Sequence, residues 1–371
     1  MEKTKMDNSI LNFSTQINNG FTDTSGDGVA IAFDKKYGIM FCAYMPGNHG
    51  CYGESRGRIA LSYFPASQPT NIKFVEISSG HQEYVPNIIS LGGGRVRVFY
   101  EENSWMHGNH FIKFKDFCYL DGSLSDEKIV MLKKEDGNVV PLTSAEQLEY
   151  LRAKGYTNNS FVHNEQICFG SHTIFQRTPD GWFYGVITSM HAEPIFYRSS
   201  DSLQTVEFFA VCPYPAQYEA DYKFIDDKMY AIIRTNRPED SISFATSSDM
   251  GNTWSEEYKF KGSIQCRPRL IIHNGQVLAA YNYYDCDTGN RPSFARTSVR
   301  FHLGNNDNPE ENRVVADLHS KYGIVNIALA DIMGDVYMAY STSELALEYQ
   351  NGSPSVRGKD AARYVKLGDL S

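Results

Sequence analysis

A short apolar strand, a turn rich in Asp, Gly or Asn, and an apolar–aromatic strand follow one another six times along the 371-residue chain. The copies are Val29–Phe33 with Tyr37–Tyr44, Val85–Leu91 with Arg95–Tyr100, His172–Gln176 with Trp182–Thr188, Tyr222–Ile225 with Met229–Ile233, Pro268–His273 with Gln276–Tyr281, and Ile324–Ala330 with Asp335–Tyr340. Their turns, such as Asp34-Lys35-Lys36, Gly92-Gly93-Gly94 and Asn274-Gly275, use residues that reverse a chain at little steric cost. A unit this short cannot bury both faces of its own sheet, so the copies must stack on one another. Further strand-like runs follow four of them, at Ile59–Phe64, Ile195–Arg198, Ser241–Thr246 and Arg296–Leu303. With few helical signals, this spacing predicts an all-β chain: a six-bladed β-propeller of four-stranded blades.

Two stretches break the rhythm. Asn103–Asn164 reads as an insertion between the second and third blades. Within it, Ser144-Ala145-Glu146-Gln147 predicts the capped start of a short helix that runs to Lys154 and stops at Gly155. Ser343–Ser371 reads as a tail that closes the ring or covers its side. No linker-like boundary interrupts the chain, so residues 1–371 are expected to form one domain.

Hydrophobic residues make up 42% of the chain and aromatics 13%, enough for a large core. No apolar run nears the ~18 residues needed for a membrane-spanning helix. The net charge of −9 argues against nucleic acid as a partner and is compatible with a local basic pocket. Met1–Gln16 is polar and lacks the apolar core of a signal peptide. This points to the cytoplasm, or to a secreted or periplasmic protein whose signal has been removed. Seven cysteines, at 42, 51, 118, 168, 212, 266 and 286, are odd in number and lack metal-ligand spacing; they read as reduced, buried thiols.

Ser247-Ser248-Asp249-Met250-Gly251-Asn252-Thr253-Trp254 has the form Ser-x-Asp-x-Gly-x-Thr-Trp. Asp249 is suited to bond the backbone of its own turn, and Gly251 to take positive φ. Thr253 is suited to re-enter a strand, and Trp254 to plug the space beneath the sheet. Ser199–Val206 is a decayed version that lacks the Gly and the Trp. The intact octet resembles the Asp box, or BNR repeat, of the sialidase (neuraminidase) superfamily. There it staples the third and fourth strands of a blade and performs no chemistry.

In a propeller, each blade's innermost strand starts, and its second strand ends, at one face. Polar residues at those positions converge on a central funnel. Inner-strand starts offer Tyr84, His172, Glu219, Arg267 and Tyr322. Second-strand ends and their loops offer His49, Glu54, Arg56, Glu101, His191, Arg234, Asn282, Asp285 and Arg291. Within this set, Tyr218-Glu219-Ala220-Asp221-Tyr222 through Ile233-Arg234, followed by the Asp box, is similar to a sialidase blade. Gln265-Cys266-Arg267-Pro268-Arg269 to Tyr281-Asn282, and then Arg291, resembles the following blade. Lys321-Tyr322-Gly323-Ile324-Val325 looks like the start of the last.

The resemblance implies that Tyr322 is the nucleophile and Glu219 takes its proton. It also implies that Arg234 and Arg291, with Arg56 or Arg267, grip a carboxylate, and that no metal or organic cofactor is needed. The chemistry is coherent. A tyrosine hydroxyl with its ordinary pKa of about 10 is a weak nucleophile that an adjacent carboxylate can activate. Tyrosine nucleophiles are the exception to two-carboxylate glycosidase chemistry. Guanidinium forks match a planar carboxylate.

The first blade departs from the family pattern. Asp27-Gly28-Val29-Ala30-Ile31-Ala32-Phe33 has no arginine where a sialidase has Arg-Ile-Pro. The loop Pro46–Arg56 has no aspartate to serve as general acid but offers His49, Glu54 and Arg56. His49 or Glu54 is therefore the expected proton donor. Arg56 is expected to replace the missing arginine, and His172 to join the substrate-binding residues. The leading expectation is a sialidase-like exo-glycosidase that releases a terminal anionic sugar, sialic acid-like or uronic, from a glycan. One alternative is a propeller polysaccharide lyase, in which arginine neutralises a uronic carboxylate and His or Tyr moves the proton. Another is a carbohydrate-binding propeller without activity.

Overall fold

The computed structural model describes residues 10–11, 14–16, 26–46, 58–78, 83–104, 109–156, 167–169, 175–217, 219–237, 240–283, 297–320, 323–342 and 361–371. They form six antiparallel blades arranged as a propeller. Blade one is Gly26–Asp34, Ile39–Pro46, Ile59–Pro65 and Lys73–Ser78. Blade four is Ala220–Ile225, Lys228–Arg234, Ile242–Ser247 and Tyr258–Lys259. Blade five is Arg269–His273, Gln276–Asn282, Ser298–Leu303 and Arg313–His319.

The strands read as apolar runs because each blade is sandwiched between two others. Successive side chains of a strand point to opposite faces, and here both faces are covered. In Lys228–Arg234, Met229, Ala231 and Ile233 pack toward blade three, while Tyr230 and Ile232 pack toward blade five. The buried apolar residues accordingly fall into six clusters, one at each seam.

The sixth blade joins distant parts of the chain. Val325–Ile332 pairs with Asp335–Thr342, which pairs with Ala361–Gly368 from the predicted tail, and that strand pairs with Thr15–Gln16. The tail thus closes the ring by completing a sheet.

The predicted insertion is smaller than the sequence suggested. Asn109–Cys118 and Lys128–Ile129 are the third and fourth strands of blade two, beside Glu83–Gly92 and Arg95–Ser104. The true elaboration begins at Met131. A hairpin, Met131–Lys133 with Val139–Pro141, extends the outer edge of blade three, and the helix Ser144–Ala153 follows. The helix starts at Ser144, so its cap lies one residue before the predicted box. Its N-cap is Thr143, whose hydroxyl accepts the Glu146 amide at 3.3 Å, and Gly155 past its end has φ +84°.

Of blade three's expected inner run His172–Gln176, residues 172–174 lie outside the described residues; Ile167–Phe169 pairs with residues 187–189 of Phe183–Ala192, and Gln176–Arg177 with residues 183–184.

The Ser247–Trp254 turn closes as its residue types require. The Asp249 carboxylate accepts the Thr253 amide at 2.8 Å and the Thr253 hydroxyl at 2.6 Å. The Ser247 hydroxyl donates to Asp249 and accepts the Gly251 amide, both at 2.8 Å. The Trp254 indole donates to Val211 O at 3.0 Å and stacks on Phe196, stapling blade four to blade three. Ser199–Val206 keeps the same skeleton: Asp201 accepts the Thr205 amide at 2.9 Å, and Ser199 accepts the Leu203 amide at 2.9 Å. Leu203 stands where the glycine would, at φ 64°, and is wholly buried. The left-handed backbone costs about 1–2 kcal/mol. Burying a leucine returns about as much.

Cys42, Cys212 and Cys266 are buried free thiols, and burial raises the pKa of Cys42 and Cys212. Among the described residues, no helix is long and apolar enough to cross a membrane.

Candidate active site at the funnel face

Glu219 sits just before the inner strand of blade four, and Arg234 ends the second strand. The hairpin register sets them side by side: the Arg234 amide donates to Glu219 O at 2.9 Å, and Arg234 Nη1 lies 2.6 Å from Glu219 Oε2. The interval of 15 residues is therefore a register distance across one tight hairpin. Arg267, at the corresponding position before the inner strand of blade five, places Nε 3.0 Å from Glu219 Oε1. One buried carboxylate thus holds two arginines from adjacent blades.

Beneath this group lies a second charged layer. Asp221 is fully buried and accepts the Leu270 amide and its neighbouring Tyr222 amide, each at 2.7 Å, with Lys223 Nζ at 3.3 Å. Arg269 donates through Nε to Ile327 O of blade six and through Nη1 to Pro268 O. Burial, and then the neighbouring Arg267 charge, lower the Arg269 pKa to about 9; Asp221 and Glu219 oppose the shift. Burial likewise lowers Lys223, with Asp221 partly restoring it. Counting only guanidiniums, three stand against two carboxylates in this buried group. Arg267 Nη1 and Arg269 Nη2 are buried and have no hydrogen-bond partner among the described residues. Buried donors of this kind call for an acceptor.

The structure brings together three of the predicted site residues: Glu219, Arg234 and Arg267. Tyr322, His49, Glu54, Arg56, Arg291, His172 and Asp285 lie outside the described residues, as do the side chains of Tyr84 and His191. Asn282 holds the blade five–six seam, donating to Ser298 O at 2.9 Å and Ile324 O at 2.8 Å. Glu101 is buried at the end of blade two's second strand, with its Oε1 2.8 Å from His110 Nδ1.

Sequence reasoning missed His110 because its strand was assigned to an insertion. It also passed over Asp221, Lys223 and Arg269. Their signal was available: charged residues inside otherwise apolar inner strands must find buried partners. Among the described residues, no cluster of His, Cys, Asp and Glu could hold a metal ion.

No family model matches the chain, and no curated protein matches its sequence. Solved structures do match in fold. A Trypanosoma rangeli sialidase mutant displaying trans-sialidase activity superposes with TM-score 0.62 at 12% identity, covering 95% of this chain and 59% of that one. A Hadza microbial sialidase gives 0.63 at 11%, covering 95% and 68%. A Dyadobacter fermentans protein of unknown function gives 0.58 at 10%, covering 95% and 97%. This chain therefore spans about 59% of the length of the trypanosomal enzyme it matches, and it has the six-bladed β-propeller fold of the sialidases.

Proposed function

We propose that the protein is a sialidase-like exo-glycosidase that hydrolyses a terminal anionic sugar, sialic acid-like or uronic, from a glycan. The observation that carries this reading is the pair of arginines on Glu219 at the funnel face, one of them with a buried, unpartnered donor. A substrate carboxylate supplies the missing acceptor, and guanidiniums bind it bidentately.

In this reading Arg234 and Arg267 fix the carboxylate, with Arg56, Arg291 and His172 completing the pocket. Glu219 takes the proton of Tyr322, which attacks the anomeric carbon. His49 or Glu54 protonates the leaving oxygen. The Ser247–Trp254 turn, read as an Asp box, lies on the opposite face and reports architecture alone. The chemistry calls for no metal or organic cofactor, and the partner is a glycan, not nucleic acid.

The test is an aryl α-sialoside and an aryl β-glucuronide incubated with wild type and with Tyr322→Phe, read by mass spectrometry. Release of a hydrolysed sugar that Tyr322→Phe lowers at least 100-fold supports the proposal. An unsaturated, ultraviolet-absorbing product from a uronate polymer would instead identify a lyase. Binding without turnover across a broad glycan panel would identify a lectin-like propeller.

A further inference from the structure

The elements added to blade three border a cleft that shares no lining residue with the arginine pair. The hairpin joins the blade's edge by parallel pairing of Met131 with Thr205 and Leu132 with Val206. The helix Ser144–Ala153 buries Leu148 and Leu151 in the same core as Leu132. Between hairpin, helix and the strand Thr205–Val211 lies a cavity of about 260 Å³. That is near the lower end of small-ligand pockets, roughly 300 Å³, and is room for one ring-sized group.

Its chemistry narrows the occupant. The apolar wall is Leu132, Tyr150, Ala153 and Phe208. Tyr150 and Phe208 meet edge to face with centroids 5.0 Å apart, and each is only half-buried. The rim is charged but internally paired. Lys134 holds Glu146 at 2.6 Å and Glu149 at 3.0 Å, Lys154 holds Glu135 at 2.8 Å, and Lys133 holds Glu207 at 2.7 Å. Asp136 is spent on the Asn138 amide and side chain. These three lysines stand against five carboxylates, so the rim is net negative and repels an anion, while each carboxylate already has a lysine or an amide partner. The rim still presents donors and acceptors around an aromatic wall. The matching ligand is neutral, with an apolar face for the aromatic rings and hydroxyl groups at its edge.

We propose that this cleft binds a single neutral pyranose unit, making it a carbohydrate-binding site separate from the funnel. The assignment stands on the cleft alone and does not depend on the glycosidase reading.

Saturation-transfer NMR on the full chain tests it, with methyl β-galactopyranoside, methyl β-glucopyranoside and methyl α-mannopyranoside as probes. At least one is expected to receive transfer. Ala153→Phe, which fills the cleft from an exposed helix position, should cut that signal at least tenfold, and Tyr150→Ala should do the same. Arg267→Ala, at the funnel, should leave it unchanged. Near-ultraviolet circular dichroism would confirm that the variants are folded. The proposal falls if none of the three pyranosides receives transfer. It also falls if the signal survives Ala153→Phe in a folded protein, or if choline or inorganic phosphate displaces the sugar.

Discussion

Arg267 reaches Glu219 across the seam between the fourth and fifth blades, with its Nε 3.0 Å from the carboxylate although 48 residues separate them. The same carboxylate holds Arg234 within its own hairpin. Glu219 therefore works at once as a structural clasp and as part of the proposed site. The two roles separate by mutation. Glu219→Ala takes the carboxylate from the buried Arg267 guanidinium and from the half-buried Arg234, and should cost about 3–5 kcal/mol in urea unfolding. Arg267→Met leaves Glu219 its Arg234 partner and should cost less. If Arg267 serves the substrate, that variant nevertheless loses turnover of an anionic glycoside by at least 100-fold.

Gly251 is constrained twice. Its φ is +83°, and an added Cβ would lie 2.5 Å from the Ala210 Cβ of blade three. Gly251→Ala combines about 1–2 kcal/mol of backbone strain with an overpacking cost of about 1–3 kcal/mol. A fall in thermal midpoint is the expected result. Leu203→Gly, at the equivalent point of blade three, relieves the strain but empties a buried position and should also destabilise.

Gly185 faces Tyr197 across the second and third strands of blade three. A Cβ there would sit 2.0 Å from the Tyr197 ring, which is wholly buried. Gly185→Ala must displace that ring, at about 1–3 kcal/mol. Reduced stability with an unchanged denaturant slope would match a local repacking; unchanged stability would contradict the contact.

His302 gives the fold an acid limb. The ring is buried, with Nδ1 3.1 Å from Pro309 O and Nε2 3.0 Å from the Tyr281 hydroxyl. Burial lowers its pKa from 6.5 to about 4. The unfolded chain therefore accepts a proton that the folded protein resists. This residue's contribution is intact above about pH 6.5 and is lost as pH falls toward about 4, an effect of ~3 kcal/mol. Urea midpoints measured between those values should fall with pH in wild type and flatten in His302→Gln.

Local chemistry explains what could be read in advance. The inner hairpins were legible because apolar runs flank turn residues whose backbone demands are specific, as at Asp226-Asp227 and Asn274-Gly275. Asp226 and Asn274 do take positive φ. Glu219 and Arg234 were legible together because one hairpin fixes their separation. The Arg267 contact crosses a blade seam, where no short-range pattern applies. Asn109–Cys118 alternates as a strand should, and it is its pairing with Arg95–Ser104 that shows it belongs to blade two and not to an insertion.

The composite sixth blade has a consequence for how the molecule is made. Arg363 donates to the Ser14 carbonyl and hydroxyl from 349 residues away. Hairpins within the first five blades can form as soon as each emerges from the ribosome, because their partners are neighbours in sequence. The sealing sheet cannot, since Thr15–Gln16 must wait for Ala361–Gly368 to be synthesised. Such distant pairing carries the largest loop-closure cost and comes late in folding. Until then two seam faces stand open to water, and a nascent chain in that state is exposed to pairing with another copy of itself.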